Sequence, residues 1–291
     1  MGRYDIDDFR GWFEQVIDPA DDCIVVYSGI WTFGHKFGIP VKEVPHLLVE
    51  QILEAVGPER TLLFPAYTYT FAKTRAYSPR ESIPETGVLP RAVLERFPAR
   101  RTRSALNSFL AMGPLAEVLS GVTGETLWGD DSLKGILEKR NARMVTLGLP
   151  WKDSLGFLHR IEEAAAVPYR YFKTFHGEWQ EGGQSEPWAE TMYVRSMEVV
   201  PEFEWAKVDR RLRETGRIVA ADAPVFIESA GASDIVATGF DLLADDPYAL
   251  LTNADAVRTW VNGRKTLEMD ALRAVEPTAL DYADRQDRAA G

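Results

Sequence analysis

The segment from Cys23 to Pro65 constrains this chain more than any other. Cys23-Ile-Val-Val-Tyr27 is a short apolar run of strand length. It opens into a loop, Ser28 to Lys36, that carries Gly29 and Gly34. Val44, Leu47, Leu48, Gln51, Ile52 and Ala55 then recur at helical spacing, which predicts a helix over 41–56 that Gly57-Pro58 ends. Thr61 to Pro65 is a second strand-length run. Strand, glycine-containing loop, helix and strand form a βαβ pattern, the signature of an α/β fold.

The rest of the chain extends that pattern. Phe9, Phe13 and Ile17 predict a helix over 7–17, and further helices are expected over 88–97, 111–119, 129–137, 203–214 and 232–244. Strands are expected over 143–149, 190–200, 216–221 and 224–228, with an exposed hairpin tip at 176–187. No internal repeat or linker divides the chain. It reads as a single domain over 1–264 and a charged tail over 265–291.

Composition excludes several functions. Of 291 residues, 33 are Lys or Arg and 44 are Asp or Glu, for a net charge of -11. Nucleic acid binding needs a basic face, so it is not expected. No apolar run approaches the ~20 residues of a membrane span, and the first 22 residues are too polar and acidic for a signal peptide. The lone cysteine, Cys23, lies in the first strand and reads as a buried structural thiol. A cytoplasmic location is expected.

Four stretches carry candidate chemistry. In the loop after Tyr27, Gly29 and Gly34 are separated by four residues, as in a phosphate loop. His35 stands at that motif's lysine, however, and Phe37 follows Lys36, so the Walker motif is absent. The loop is either a backbone phosphate cradle or an ordinary strand-to-helix connection. Residues 64–71 leave the second strand as an aromatic, hydroxyl-rich loop, where α/β sheets place ligands. Ala99 to Ser104 holds three arginines, Arg100, Arg101 and Arg103, fit to grip a phosphate or to form a solvated face.

The fourth stretch is Leu155 to Thr174. Phe157, Leu158, Ile161, Ala164 and Ala165 form a helical stripe that ends near Pro168, and His159 and Glu162, three apart, share another face. Such a pair is either a buried histidine bonded to its own helix or a general base with its carboxylate. No G-x-S-x-G elbow, H-E-x-x-H pair or G-x-G-x-x-G fingerprint offers another chemistry. No metal site is expected from four scattered histidines.

From about Cys23 to Leu251 the chain resembles the aminoglycoside 3-N-acetyltransferases, or antibiotic N-acetyltransferases. Five segments carry the resemblance in order: Tyr27-Ser28, Pro65 to Thr68, Gly87 to Pro90, Arg101 to Phe109, and Leu158-His159-Arg160-Ile161-Glu162. The resemblance implies a three-layer α/β/α fold with a mostly parallel or mixed central sheet, unlike the GCN5 acetyltransferases. It implies acetyl-CoA as donor, a small-molecule primary amine on an aminosugar or natural-product intermediate as acceptor, and no metal. His159 and Glu162 would be catalytic. Ser28, Gly29, Thr32, Phe33, Gly34, Thr68, Arg101, Arg103, Ser104 and Ser108 would hold the cofactor. Tyr67, Tyr69, Glu163, Tyr169 and Arg170 would face the acceptor. A homodimer is compatible with this reading.

Two departures stand out. Ser104 and Ala105 replace the His-Pro of the family's Arg-Ser-x-His-Pro-x-x-Ser-Phe motif. The acidic Asp-x-x-Asp-Gly-like stretch of its aminoglycoside enzymes has no counterpart nearer than Pro201-Glu202-Phe203-Glu204. A hydroxyl acceptor, a longer acyl group and a catalytically inactive binding protein are the alternatives.

Overall fold

A computed structural model describes residues 4–31, 33–154 and 156–263. The expected tail over 265–291 lies outside the described residues. The strands are β1 (Cys23–Ser28), β2 (Thr61–Pro65), β3 (Ala76–Tyr77), β4 (Arg100–Arg101), β5 (Phe109–Met112), β6 (Arg143–Leu147), β7 (Arg170–Glu181), β8 (Gln184–Arg195), β9 (Val219–Ala220) and β10 (Ile227–Gly231). Among the described residues, seven of them form one sheet in the order β4-β5-β2-β1-β6-β10-β9. Its centre, β2-β1-β6, is parallel, and the strands on either side pair antiparallel.

Alternation along β1 sends its side chains to two cores. Ile24 and Val26 enter one, Cys23 and Val25 the other. The first core is covered by α1 (Ile6–Glu14), α2 (Phe33–Phe37), α3 (Val44–Val56) and, beyond the short α4 (Phe71–Thr74), α5 (Val88–Arg96). The second is covered by α6 (Ala116–Ser120), α7 (Leu133–Lys139) and, past α8 (Trp151–Ser154), by α9 (Leu158–Ala164), α10 (Ala206–Glu214), α11 (Ala232–Ala244) and α12 (Ala254–Gly263). The fold is therefore the expected three-layer α/β/α arrangement on a mixed sheet. Cys23 is fully buried, and burial, with Asp22 beside it, pushes its thiol up to about 12.

Local expectations fail where tertiary pairing overrides them. Ala111 and Met112, expected in a helix, belong to β5, which lies between β2 and β4 with every residue buried. The helix there begins only at Ala116. The loop after β1 contains α2, whose Phe33 and Phe37 pack at 6.3 and 6.5 Å on Phe9. The expected hairpin tip is mostly strand: β7 and β8 pair from Arg170 with Arg195 to Glu181 with Gln184, leaving Gly182 and Gly183 as the turn. The polar, glycine-containing sequence reads as loop because this end of the ribbon leaves most of its side chains exposed. β10 starts at Ile227, so only the end of the expected 224–228 strand belongs to it.

Two glycines set the frame around the sheet's carboxyl edge. A Cβ on Gly148, at φ 68°, would lie 2.3 Å from Gly29 O, so the loops after β6 and β1 meet backbone to backbone. A Cβ on Gly239 would lie 2.5 Å from Ile161, so the bare glycine lets α11 press closely on α9.

Candidate active site

α9 carries the site. It follows β6 by way of α8, so its first turn stands beyond the carboxyl end of a central parallel strand. Leu158 and Ile161 bury in the core, while His159 and Glu162 face one another, with Nδ1 3.2 Å from Oε2. The same Glu162 oxygen lies 2.7 Å from Arg170 Nη2 on β7. Glu162 is fully buried, yet the His159 side chain is 36% exposed, so solvent reaches the ring while its partner is sealed. Burial alone would raise the Glu162 carboxyl. The Arg170 charge, then His159, outweighs it and holds the group below the usual carboxylate range. A carboxylate on Nδ1 keeps the ring proton there and leaves the Nε2 lone pair free.

The imidazole is held low. Burial contributes most and the Arg170 charge next; Glu162 pulls the other way, and Lys134 adds to the lowering, bringing it to about 4. The ring lies on Trp128 at 4.5 Å, tilted by 32°. Lys134 of α7 approaches the same indole: its Nζ is 5.7 Å from the Trp128 ring, 5.6 Å from the Tyr67 ring, and donates to Gly156 O. Tyr67 and Tyr27 bring their hydroxyls within 3.4 Å of one another. β1 supplies Tyr27, the loop after β2 supplies Tyr67, and the segment after β6 supplies Gly156 and His159, so three neighbouring parallel strands aim at one place.

Lys134 and Trp128 are not legible as site residues in the sequence. A lysine in a short amphipathic helix looks solvated, and nothing local shows that it is 1% exposed.

Other expected residues have different surroundings. Arg101 is buried and spends its guanidinium on the chain, donating to Ser82 O and Ala66 O, to Thr68 Oγ1 at 2.9 Å and to Ser108 Oγ at 3.2 Å. Ser108 in turn donates to Ala66 O at 2.6 Å. Arg101, Thr68 and Ser108 thus knit the loop after β2 to β4 and β5, with the guanidinium committed inward. Arg103 reaches the hairpin instead, pairing with Glu186 and lying 5.2 Å from the Trp179 ring and 5.1 Å from the Trp188 ring.

Tyr169 and Arg170, expected at the acceptor, are 1% and 5% exposed and back Glu162 from behind. Glu163 accepts from Thr126 Oγ1. Tyr69 is 54% exposed, its ring edge-on to Tyr67 at 5.9 Å.

The loop after β1 lies at the same edge. Gly29 N donates to Leu147 O at 2.8 Å, so this amide is already used. Phe33 and Gly34 are buried on the α2 side, away from the loop's open face. Trp31 folds toward Gly29 and is 71% exposed. Thr32 lies outside the described residues. Ser28 ends β1, with its carbonyl near Gly87 at the start of α5.

A family model described as aminoglycoside 3-N-acetyltransferase matches residues 35–238. The chain belongs to the aminoglycoside 3-N-acetyltransferase family. Membership makes it an N-acetyltransferase. The solved apoenzyme of aminoglycoside acetyltransferase AAC(3)-IVa superposes with a TM-score of 0.69 at 20% identity, covering 89% of this chain and 98% of that one. A mutant of AAC(3)-IVa in complex with a gentamicin gives 0.70 at 21%, covering 94% and 98%. AAC-IIIb in binary complex with CoASH gives 0.67 at 17%, covering 82% and 95%. These likenesses establish the shared fold. No curated protein matches the chain.

The family's motif departures have clear local consequences. Ser104 accepts from Asn107 N at 2.9 Å, and its neighbour Ala105 donates through its backbone N–H to buried Glu190, as does Leu106 at 3.0 Å. The segment therefore keeps its turn through backbone contacts. A cavity of about 70 Å³ lies between it and the hairpin, lined by Ser104, Asn107, Thr126, Leu133 and Glu190. It does not include His159. In the acidic segment at 201–204, Glu204 is paired with Lys207 at 3.3 Å. Among the described residues, no group of three His, Cys, Asp or Glu is placed to hold a metal ion.

Proposed function

We propose that this chain transfers the acetyl group of acetyl-CoA to a small-molecule primary amine, with His159 as general base. The observation that carries the reading is the His159–Glu162–Arg170 chain: a solvent-accessible imidazole, neutral at physiological pH, backed by a buried carboxylate. The acceptor presents its amine to Nε2, which takes a proton as nitrogen attacks the thioester carbonyl. The C–N bond forms and the carbonyl π pair moves to oxygen. Collapse of that oxyanion breaks the C–S bond, and the CoA thiolate leaves and takes up a proton. Glu162 favours the imidazolium formed at the first step, and Arg170 keeps Glu162 ionised while it does so. The scheme needs no acyl-enzyme.

Solved members of the fold are in complex with a gentamicin, with apramycin and with CoASH. In this chain the acidic segment at 201–204 is short, and part of its charge is neutralised internally. The acceptor is accordingly an amine of an aminosugar or natural-product intermediate with fewer positive charges than an aminoglycoside. The test is thiol release from acetyl-CoA across a panel of amines and alcohols. Release with amines of this class is expected. Release with alcohols alone would replace the reading by O-acylation, and release with none would refute it.

A further inference from the structure

Lys134 is a costly residue where it stands. Its side chain is 1% exposed, and among the described residues it makes no ion pair, so burial of its charge is uncompensated. Its Nζ donates to Gly156 O and otherwise meets the faces of Tyr67 and Trp128. The polar heads around it leave no spare room. A Cβ on Gly156 would lie 2.9 Å from Tyr27 OH, 3.1 Å from Tyr67 OH and 3.2 Å from Lys134 Nζ. Gly156 sits in the turn from which α9 departs, three residues ahead of His159, and Trp128 carries the lysine and the imidazole on one indole.

We propose that Lys134 is a positioning residue for His159: its ammonium fixes the turn that launches α9 and supplies a positive charge that opposes protonation of the imidazole. The proposal rests on the reading of His159 as general base, and deepens it. A base held in a half-open cleft is useful only while it is unprotonated. Glu162 on the same helix, valuable once the proton arrives, also invites one in advance. Arg170 from β7 offsets that invitation by occupying Glu162, and Lys134 from α7 offsets it from the side of Trp128.

The order of titration fits. Burial brings the lysine down to about 7, and the imidazole lies near 4. Wherever His159 takes up a proton, Lys134 is therefore already charged and its field acts in full. The groups facing the pair are Glu162 on α9, Arg170 on β7, Tyr27 on β1 and Tyr67 after β2. All of them remain when Lys134 alone is replaced.

The test uses the full chain and two variants. Lys134→Met removes both charge and hydrogen bond; Lys134→Gln removes the charge and keeps a donor for Gly156 O. Histidine titration is followed by NMR, with the His159 signal assigned by its loss in His159→Gln. In both variants the His159 midpoint should rise by about half a unit or more, as expected when a nearby like charge is removed, while exposed His176 stays fixed. KM for amine and acetyl-CoA should change little, and kcat at pH 5 should fall more than kcat at pH 8.

Should Lys134→Gln leave the His159 midpoint where it is in the wild type, the proposal is overturned, whatever the methionine variant does. The NMR readout needs no turnover. A wild-type chain that transfers no acetyl group would therefore sink the functional reading and leave this test standing.

Discussion

At the scale of single residues, the proposed mechanism rests on an imidazole and the charges that surround it. General base catalysis contributes roughly 10²- to 10⁴-fold, or about 3 to 5 kcal/mol of barrier. His159→Ala should lower kcat by about that factor and leave CoA binding nearly intact, measured by thiol release and by titration of CoA against the unreacted protein. Glu162→Gln should cost less, since the base remains, but it also leaves Arg170 buried without its carboxylate and should lower the melting temperature. His176 is exposed in the middle of β7, and His176→Ala should do neither. The pH profile follows with a definite sign. The neutral ring is the active form and its pKa is lowered from 6.5, so kcat should persist below pH 6 and decline as the pH approaches the region of 4. An acid limb centred at 6.5 would mean that the ring is not held low, and one well above 6.5 that the titrating base is another group. Between those two values the unfolded chain binds a proton at this histidine that the folded one refuses, so His159 also withdraws stability as pH falls.

At the scale of elements, legibility in the sequence followed periodicity. The βαβ unit and the His159–Glu162 pair are local patterns, and both stand in the structure as read. What escaped is non-local. β5 looked helical because its pairing with β2 and β4 cannot be seen in four residues. Arg101 looked like part of a solvated or phosphate-gripping patch. In the fold, Arg100 stays at the surface, Arg103 reaches the hairpin, and Arg101 becomes a buried clamp between β4 and the loop after β2. This gives a prediction at the same scale. Arg101→Ala leaves Ala66 O and Ser82 O without that donor in a largely buried setting, which should cost about 2 to 4 kcal/mol. For a chain of this size that is a drop in melting temperature of roughly 5 to 10 °C. Arg103→Ala removes one exposed ion pair and should cost under about 1 kcal/mol. If instead Arg101→Ala melts like the wild type and loses affinity for acetyl-CoA, the arginine serves the cofactor and the clamp is incidental.

At the scale of the whole molecule, two demands conflict. CoA is a polyanion, and the chain that would bind it carries a net charge of -11. Both arginines expected at the cofactor are already committed, Arg101 to backbone carbonyls and Arg103 to Glu186. Under the proposed reading this net charge works against an anionic donor, and backbone amides and apolar contact with the pantetheine are expected to supply the affinity. Salt distinguishes this arrangement from a phosphate grip. The screening length falls from about 30 Å at 0.01 M to about 8 Å at 0.15 M. Over that range the repulsion between protein and CoA is largely removed, while contacts within the cleft are little affected. CoASH should consequently bind as tightly at 0.15 M as at 0.01 M, or more tightly, read as the dissociation constant by calorimetry and as the shift in melting temperature at fixed ligand excess. A site built on exposed lysines or arginines behaves in the opposite way, because each ion pair with a phosphate weakens as salt rises. A steep loss of affinity between 0.01 and 0.15 M would place the diphosphate on such side chains.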